Sequence, residues 1–334
     1  MRKTKIVCTV GPKTESYEMM EKMMDLGVNS FRLNTSHGDW NEHEQRILKI
    51  KELREKKGLP ISILIDLAGP KVRTGALEKD EIFLMEGQEL VLTTKEVLGN
   101  ERVISVNLQT LPRDVKKGDK ILVKDGEIVL EVLETCGEEV RTVVKVGGRI
   151  SHRQGINVPG VDLSVESLTE RDKEFIELGV LHNVDFFALS FVRKAEDVLK
   201  AREEIRRYGK DIPVISKIET KRALENLEEI IKVSDAVMVA RGDLGVEIPV
   251  EEVPIVQKEI IKLSKEYSKP VIVATQILES MLNHPYPTRA EVTDIANAIF
   301  DGADALLLTA ETAVGNFPLE AIGCLLYTSD AADE

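Results

Sequence analysis

Residues 213–245 read PVISKIETKRALENLEEIIKVSDAVMVARGDLG, and this stretch is the clearest guide to the fold. A short apolar run at 213–218 is followed by a helical pattern at 224–231 and by a second apolar run at 236–240. Apolar runs without polar alternation are typical of parallel strands that are covered on both faces. The stretch therefore predicts one strand–helix–strand unit.

The same alternation continues in both directions and predicts eight strands. The candidate strands are residues 5–10, 28–33, 61–66, 185–190, 213–218, 236–240, 270–274 and 305–309, and helical patterns occur at 15–26, 201–208, 224–231 and 253–267. Eight β/α alternations predict an α/β fold of the TIM (β/α)8 barrel type. A last helical pattern begins near Pro318, and we expect it to break off at Gly323, before two turns are complete.

An insertion interrupts the barrel pattern between the third strand and the third helix. From 74 to 153, short alternating runs are separated by turn-forming glycines such as Gly87 and Gly118. Turn signals at this spacing predict a small all-β domain, and an insertion in a βα loop is placed to act as a lid over a barrel site. We therefore expect the barrel to be formed by residues 1–73 and 154–323 and the lid by residues 74–153.

The final segment, residues 324–334, reads CLLYTSDAADE and resembles a translated sequencing adapter. We expect it to be a foreign tail and exclude it from the barrel, the alternative being a natural polar tail. On this interpretation the natural chain continues past Gly323, and the 334-residue chain, lacking the cover of a complete last helix, is expected to aggregate or have little activity.

Composition excludes several classes of function. The 334 residues carry a formal net charge of −13 and only 4% aromatic residues, which argues against general nucleic-acid binding. The cysteines Cys8, Cys136 and Cys324 are far apart, so neither a zinc site nor a disulfide framework is indicated. No apolar run approaches the ~20 residues of a membrane span. We expect a cytoplasmic protein that binds neither nucleic acid nor membrane.

The strand ends carry the residue types needed for phosphoryl chemistry. Lys217 and Glu219 are two residues apart, so on a strand their side chains point the same way. Glu219 can bind Mg²⁺ while Lys217 balances charge on a transferring group, and Asp243 offers a second carboxylate. A structural ion pair for Lys217 and Glu219 and an ordinary turn for Asp243 are the alternatives.

Further candidates follow other strands. Arg32 and Arg73 have the side-chain geometry for bidentate phosphate contacts, although surface arginines are the alternative. Oxygen-bearing side chains at the strand ends offer ligands for a cation or a hydroxyl for a substrate, the alternatives being capping, turn formation and β-propensity: Asn34, Ser36, Asp66 and Thr275.

At these residues the sequence resembles the pyruvate kinase family, over residues 1–323 and in the same order. The motifs are FRLNTSHG (31–38), DLAGPKVRTG (66–75), ISKIET (215–220), MVARGDLGVEIP (238–249), VIVATQILESM (271–281), HPYPTRAEVTDIANAIFDGADALLLTAET (284–312) and FPLEAI (317–322). The resemblance implies a barrel, an inserted lid and a C-terminal α/β domain that would follow Gly323.

The resemblance also implies a reaction and its participants. Phosphoenolpyruvate and ADP would give pyruvate and ATP, the last step of glycolysis, with Mg²⁺ as the cofactor and Mn²⁺ as a possible replacement. Members of the family are commonly homotetramers when full-length.

Roles for individual residues follow from the resemblance. Arg32 would contact the substrate phosphate, Lys217 would stabilise the phosphoryl group in transfer, and Glu219 and Asp243 would bind Mg²⁺. The amides of Gly242 and Asp243 and the hydroxyl of Thr275 would hold the substrate carboxylate. The nucleotide and phosphate side would be formed by Asn34, Thr35, Ser36, His37, Arg73 and Gln154.

Two departures from the family pattern stand out. Many members read Asp-Thr-Lys-Gly-Pro-Glu after the third strand, where this chain has Leu67 in place of the threonine and Lys71 in place of the glutamate. This resembles the K⁺-independent branch, and our hypothesis is that the Lys71 ammonium replaces K⁺ beside a remnant site of Asn34, Ser36 and Asp66; a solvent-facing lysine is the alternative.

The second departure concerns the lid. Gln154 stands where the family usually has a lysine, with Arg153 before it. The lid's contact to the nucleotide therefore has two candidates, because Arg153 could take the place of the usual lysine.

Two other functions are alternatives to a pyruvate kinase. A Mg²⁺-dependent barrel that makes or breaks carbon–carbon bonds of phosphoenolpyruvate or pyruvate would lack the long β insertion and the set of Lys217, Glu219 and Arg73. A barrel kept only as a binding module would be expected to have lost catalytic positions, yet Arg32, Lys217, Glu219, Asp243 and Thr275 are all present.

Overall fold

The computed structural model describes residues 3–334, whose strands and helices alternate along most of the chain. The strands are β1 (Lys5–Thr9), β2 (Ser30–Asn34), β3 (Ser62–Leu67), β4 (Glu81–Leu84), β5 (Glu89–Thr93), β6 (Val103–Ser105), β7 (Lys120–Val123), β8 (Ile128–Cys136), β9 (Glu139–Val146), β10 (Gly148–Ser151), β11 (Ile156–Asn157), β12 (Phe186–Leu189), β13 (Val214–Ile218), β14 (Ala236–Ala240), β15 (Val271–Ala274) and β16 (Ala305–Leu308).

The helices lie mainly between the barrel strands. They are α1 (Tyr17–Leu26), α2 (Trp40–Lys57), α3 (Leu111–Asp114), α4 (Glu170–Leu181), α5 (Ala195–Arg207), α6 (Lys221–Glu225), α7 (Leu227–Val233), α8 (Arg241–Glu247), α9 (Val253–Glu266), α10 (Arg289–Asp301), α11 (Ala310–Ala313) and α12 (Pro318–Asp333).

Eight parallel strands close into a barrel within the described residues. Their order is β1-β16-β15-β14-β13-β12-β3-β2, and β1 pairs with both β16 and β2. The predicted α/β barrel is confirmed, and each of the eight predicted strands overlaps an observed one. The carboxyl ends of all eight strands consequently meet at one mouth, where barrel enzymes place their sites.

Local sequence explains how the helices begin and end. The Ser16 side chain accepts a hydrogen bond from the Met19 amide at the start of α1, and Gly27 ends the helix with φ 108°. Met20 and Met23 on this helix are fully buried against the barrel. The side-chain cap and the left-handed glycine set where the helix begins and ends, and the apolar stripe determines which side of it packs against the barrel.

The insertion forms its own β structure and its own core. Strand order β11-β7-β8-β9-β5-β6 makes one sheet, and β10 pairs with β4 in a second. A separate apolar cluster fills this unit, with Leu90, Ile121 and Leu130 among its buried members. The pairing of β11 with β7 extends the β structure to Asn157, past the expected boundary at 153.

The last helix differs from the sequence-based expectation. Instead of ending near Gly323, α12 continues to Asp333. Ile322, Leu325 and Ser329 are fully buried, because the apolar spacing of three and four residues persists through this segment. The helix therefore covers apolar surface that we expected to be exposed. The foreign origin of residues 324–334 stays a prediction.

Three other features bear on the classes of site considered from the sequence. Within residues 3–334, Cys8, Cys136 and Cys324 are all free thiols. The described chain contains no group of three or more His, Cys, Asp or Glu residues arranged to hold a metal ion. Nor does this part of the chain include a helix with the length and apolarity needed to cross a membrane.

Candidate active site

The barrel mouth brings together side chains that are far apart in the sequence. Arg32 lies on β2, Asp66 on β3 and Lys217 on β13, and only β12 separates β3 from β13 in the barrel. Asp243 lies on α8, which follows β14 directly, and Thr275 follows β15. The carboxyl ends of these parallel strands thus place the five residues at the same mouth of the barrel.

Lys217 is the centre of this arrangement. Its Nζ lies 2.8 Å from Glu219 Oε1, 3.2 Å from Asp66 Oδ1 and 2.7 Å from Ser190 Oγ. The residue is only 8% exposed. Burial alone would lower the pKa of Lys217, but the carboxylates of Asp66 and Glu219 outweigh it and raise the pKa above its ordinary value. Lys217 is therefore held in its ammonium form.

Asp66 is shared between two cations. Arg32 Nε donates to Asp66 Oδ2 over 2.6 Å, while Lys217 and the Ser190 hydroxyl donate to Oδ1. Burial opposes ionisation of Asp66, but the two cations prevail and lower the pKa of Asp66. Arg32 also donates from Nη1 to Thr9 Oγ1, so both arginine contacts hold its guanidinium at the mouth.

Glu219 is a buried carboxylate whose surroundings favour a cation. It is 1% exposed, and its Oε2 accepts a hydrogen bond of 2.7 Å from the Phe191 amide. Burial raises the pKa of Glu219, the Lys217 ammonium lowers it, and the nearby charge of Asp243 raises it again. A second positive charge between Glu219 and Asp243 would relieve that repulsion.

These two carboxylates fit a hard divalent cation. Mg²⁺ is commonly bound through one or two protein carboxylates, with water and substrate oxygens completing its coordination. Glu219 and Asp243 are two carboxylates of this kind, and the charge of Asp243 acts on Glu219 and raises its pKa.

Thr275 is held in an unusual backbone conformation. Its φ is 69°, and that of Gln276 is 54°, in the left-handed region that a β-branched residue rarely adopts. The Arg241 guanidinium donates to the carbonyl oxygens of both residues, over 2.8 Å to Thr275 and 3.0 Å to Gln276. The Gly242 amide donates to Thr275 Oγ1 over 2.8 Å. The loop after β15 is thus fixed to α8, the helix that carries Asp243.

The loop after β2 contains predicted nucleotide-binding residues of two kinds. Ser36 and His37 lie at its surface, and Asn34 Oδ1 accepts from the Ser36 amide over 3.1 Å. Thr35 is a correction, because its side chain is fully buried and its hydroxyl bonds to Asp66 O and the Ala68 amide. The Thr35 hydroxyl therefore joins two loops and is not available to a nucleotide.

The predicted lid contacts meet at the junction of barrel and insertion. Arg73 Nη1 donates to the carbonyl of Arg153 over 3.1 Å. Gln154 is folded back onto the insertion, with Nε2 donating to Ser151 Oγ over 2.7 Å. Arg153 is exposed, with φ 55°. Of the two lid candidates, Arg153 is the one whose side chain remains accessible.

Lys71 lies between the barrel and the insertion. It is half-buried, and its side chain lies against Gly155 of the insertion junction. A Cβ atom added to Gly155 would be 3.5 Å from Lys71 Cε. The ion partners of Asp66 in the described residues are Arg32 and Lys217. The structure thus puts Lys71 at the edge of the site and not in a direct ion pair with Asp66.

A cleft of about 520 Å³ opens beside these groups. Asp243, Thr275 and Lys71 line it from the barrel side, and Asp125 of the insertion lines it from above. This volume is within the range of small-molecule sites in proteins. The insertion therefore borders the cleft, and its role as a lid stays a prediction.

Several residues of this site were missed in the sequence. Ser190 follows β12, and the polar end of the fourth strand was the signal that could have identified it. The motif MVARGDLGVEIP contains Arg241 but does not indicate its function, because the contacts of Arg241 with the loop after β15 depend on the fold. Asp125 lies in a turn beside a glycine of the insertion, and nothing in the sequence predicts that it lines a cleft of the barrel.

Comparisons with known proteins agree with the geometry. The family model "Pyruvate kinase, barrel domain" matches residues 1–322. The pyruvate kinase of Thermotoga maritima is 76% identical over 334 residues, which cover 100% of this chain and 72% of that protein. The pyruvate kinase of Bacillus licheniformis is 47% identical over 337 residues, covering 100% of this chain and 58% of the relative.

A solved structure gives the same result for the fold. The crystal structure of a pyruvate kinase from Cryptosporidium parvum superposes with a TM-score of 0.95 at 38% sequence identity. The match covers 99% of this chain and 69% of the Cryptosporidium chain. The chain described here thus spans a large part, but not all, of the length of the proteins that it matches.

Proposed function

The chain belongs to the pyruvate kinase family, and from this premise we propose that it transfers a phosphoryl group from phosphoenolpyruvate to ADP. The observation that carries the proposal is the buried Lys217 ammonium, 2.8 Å from Glu219 and 3.2 Å from Asp66. A cation fixed in a water-poor site stabilises the negative charge of a transferring phosphoryl group much better than it would in water.

Glu219 and Asp243 are the residues that we assign to Mg²⁺, for which Mn²⁺ could substitute. When bound, the divalent ion supplies positive charge to the phosphoryl and carboxylate oxygens of the substrate. The two carboxylates support this assignment because Glu219 is buried and the negative charge of Asp243 acts on it and raises its pKa.

Thr275, oriented by Gly242, and the Asp243 amide are assigned to the substrate carboxylate. The Gly242 amide donates to Thr275 Oγ1, which occupies an acceptor site of the hydroxyl. The hydroxyl hydrogen of Thr275 is then left to donate to a substrate oxygen. The Asp243 amide is the other donor for this carboxylate, because the single hydrogen of the Gly242 amide is already given to Thr275 Oγ1.

The proposed chemistry balances when one proton is taken up from solvent. A terminal phosphate oxygen of ADP forms a bond to the phosphorus, and the bond from phosphorus to the enol oxygen breaks, leaving its electron pair on that oxygen. Lys217 and Arg32 face the phosphoryl oxygens during this transfer. The enolate then takes up a proton at its terminal carbon and becomes pyruvate.

The nucleotide side is assigned to the loop after β2 and to the junction with the insertion. Asn34, Ser36 and His37 would contribute from the first and Arg73 from the second. Arg153 takes precedence over Gln154 as the lid contact, because the Gln154 amide is already bonded to Ser151. We retain Lys71 as the charge that makes K⁺ unnecessary, beside the oxygens of Asn34, Ser36 and Asp66.

The wider setting follows from the family. We propose a cytoplasmic enzyme of glycolysis that assembles as a homotetramer when the chain is full-length. We also propose a lid at about 74–153 between barrel segments 1–73 and 154–323, with residues 324–334 foreign to the family sequence.

The test is a coupled assay of pyruvate formation from phosphoenolpyruvate and ADP, with and without Mg²⁺. We expect turnover only when Mg²⁺ or Mn²⁺ is present. The matched variants are Lys217→Met, which should abolish turnover, and Lys210→Met, an exposed lysine whose loss should have no effect. A folded chain that binds Mn²⁺ but does not bind phosphoenolpyruvate in calorimetry would overturn the proposal.

A further inference from the structure

The chain re-enters the barrel from the insertion through a short segment at 156–163. This segment begins with β11 and turns at Gly160, whose φ is +76°. It lies above a second cavity of about 350 Å³, between the insertion and the barrel. We call residues 156–163 the return hinge, because they form one of the two chain connections between the insertion and the barrel, the other being the segment that follows β3.

Glu247 is the barrel residue that holds the return hinge. Its carboxylate lines the cavity beneath the hinge together with Asn157 and Gly160, and the Asn157 side chain and the Gly160 amide are close enough to lower its pKa. Its Oε2 also lies 3.5 Å from the backbone nitrogen of Lys221. One half-buried side chain therefore contacts the hinge and the barrel loop at the same time.

The two residues joined by this contact, Glu247 and Lys221, are each close in sequence to one of the two proposed metal ligands. Glu247 is the last residue of α8, and Asp243 lies one turn earlier on the same helix. Lys221 begins α6, two residues after Glu219. Burial and the charge of Asp243 raise the pKa of Glu247, and the polar groups beside it lower it, so the contact is itself electrostatically tied to the metal side.

A third connection runs through the cavity beneath the hinge. Phe191 lines this cavity together with Asn157, Gly160 and Glu247. The Phe191 amide holds Glu219 Oε2 at 2.7 Å, with Phe191 at a φ of 54°. A shift of the hinge into or out of the cavity would therefore act on a residue that orients Glu219.

We propose that Glu247 is a positioning residue that couples the return hinge of the insertion to the carboxylates of Glu219 and Asp243. The inference rests on the proposed function, since it concerns the same Mg²⁺ pair. It goes beyond that function in making the position of the lid and the geometry of the metal ligands depend on each other. A coupling of this kind is reciprocal: divalent ion binding must restrain the hinge as much as the hinge favours ion binding.

The test uses Glu247→Gln, which keeps the size of the side chain and removes its charge. The matched control is Glu225→Gln, because Glu225 lines the same cavity but bonds to Arg222 on its own helix. Mn²⁺ binding is measured by electron paramagnetic resonance, and amide hydrogen exchange is followed at 156–163 with and without Mn²⁺.

In wild type and Glu225→Gln, Mn²⁺ should slow exchange at the return hinge. In Glu247→Gln, the Mn²⁺ dissociation constant should rise by about fivefold or more, the lower end of coupling between sites, and the slowing should be lost. The double variant of Glu247→Gln with Asn157→Ala should show no further loss, because both changes remove one contact.

The outcomes separate this inference from the proposed function. Unchanged Mn²⁺ affinity and unchanged hinge protection in a folded Glu247→Gln would overturn the coupling, even if wild type makes pyruvate. Additive losses in the double variant would also overturn it, since they would show that Glu247 and Asn157 act separately. A wild type that makes no pyruvate but shows Mn²⁺-dependent hinge protection would leave the coupling standing and reject the reaction.

Discussion

The Lys217 ammonium lies 2.8 Å from a carboxylate oxygen of Glu219, and both residues are almost completely buried. An ion pair in such a place is weak evidence for stability alone, because removing two charges from water costs most of what their attraction returns. Here the pair is extended by Asp66 and Arg32 into an alternating chain of charges at the barrel mouth. Such an arrangement is suited to receiving a charged substrate.

Lys217→Met should abolish phosphoryl transfer while leaving ion binding nearly intact. Removing one fixed charge from a transition state of this kind costs about 10²–10³ in turnover. Glu219 and Asp243 remain, so Mn²⁺ affinity should change little. The measurements are kcat in the coupled assay and Mn²⁺ binding by electron paramagnetic resonance.

The same variant should also be less stable. Asp66 and Glu219 lose a buried partner, and breaking a buried pair costs about 3–5 kcal/mol in the free energy of unfolding. Urea titration of Lys217→Met against the exposed Lys210→Met checks this loss. Near-native turnover in a folded Lys217→Met would remove the residue from the mechanism.

Arg241→Lys should impair substrate binding through Thr275. The guanidinium donates to two carbonyls of a strained loop and to Asp294 over 2.7 Å, which a single ammonium cannot reproduce. A left-handed conformation at a β-branched residue costs about 1–3 kcal/mol and persists only when its surroundings enforce it. We expect a higher KM for phosphoenolpyruvate with little change in the KM for ADP.

The control for this variant is Arg222→Lys, whose guanidinium pairs with Glu225 at the surface. Steady-state kinetics with each substrate varied in turn give both KM values. Equal changes in the two KM values would show general disorder of the barrel mouth and contradict a specific effect on Thr275.

His43 should make stability depend on pH. Its Nε2 is 2.8 Å from His37 O, the residue is 1% exposed, and burial lowers its pKa below the ordinary 6.5. Below pH 6.5 the unfolded chain therefore takes up a proton that the folded chain resists, so stability is complete above that pH and falls as the pH drops toward the folded-state value. The loss is at most about 1.4 kcal/mol per pH unit.

Urea unfolding of wild type and His43→Gln at pH 7.5 and 5.5 measures this contribution. The variant is expected to be less stable at both values, because the imidazole packs edge-on against Phe175 at 5.1 Å. The informative quantity is the difference between the two pH values, which should be smaller in the variant. Identical differences would show that His43 does not titrate on unfolding.

The sequence predicts the barrel well because the determining forces are local. Each strand is a short apolar run between helical patterns, and closure of eight such units follows from the rules of parallel sheets. The last helix was missed because the resemblance of residues 324–334 to an adapter overrode their apolar spacing. Leu325 and Leu326 continue the stripe that Ala321 and Ile322 begin, and the structure buries all four.

The sequence predicted the residues of the candidate site only where a residue lies at the end of a strand and its role does not depend on contacts with another loop. Lys217, Glu219 and Asp66 do so, and the structure brings them together. Thr35 could not be assigned correctly, because its burial depends on the loop after β3. Glu247 and Arg241 act across loops, and a contact between loops leaves no periodic trace in the sequence.

Turnover of the wild type should not require K⁺. Leu67 offers no oxygen ligand for a monovalent ion, and Lys71 places a charge at the edge of the cleft. Activity in KCl should therefore equal activity in tetramethylammonium chloride at the same ionic strength. A large stimulation by KCl would reject the Lys71 hypothesis.

A variant separates Lys71 from an ordinary surface lysine. Lys71→Met should lower turnover in both salts, since the charge is lost and no ligand set for K⁺ is restored. Lys116→Met, an exposed lysine of the insertion, should leave turnover unchanged. Equal turnover in the two variants would show that Lys71 is a solvent-facing lysine without a role in the reaction.

Leu325→Ala should destabilise the barrel if α12 packs as described. Leu325 is fully buried between the helix and the barrel core, whereas Tyr327 on the same helix is 78% exposed. Truncating a buried leucine costs about 2–5 kcal/mol through lost apolar contact and the cavity left behind. Tyr327→Ala is the matched control and should change stability little. Thermal and urea unfolding of both variants measure the effect, and equal stability of the two would show that residues after Gly323 do not cover the barrel, as the adapter interpretation first led us to expect.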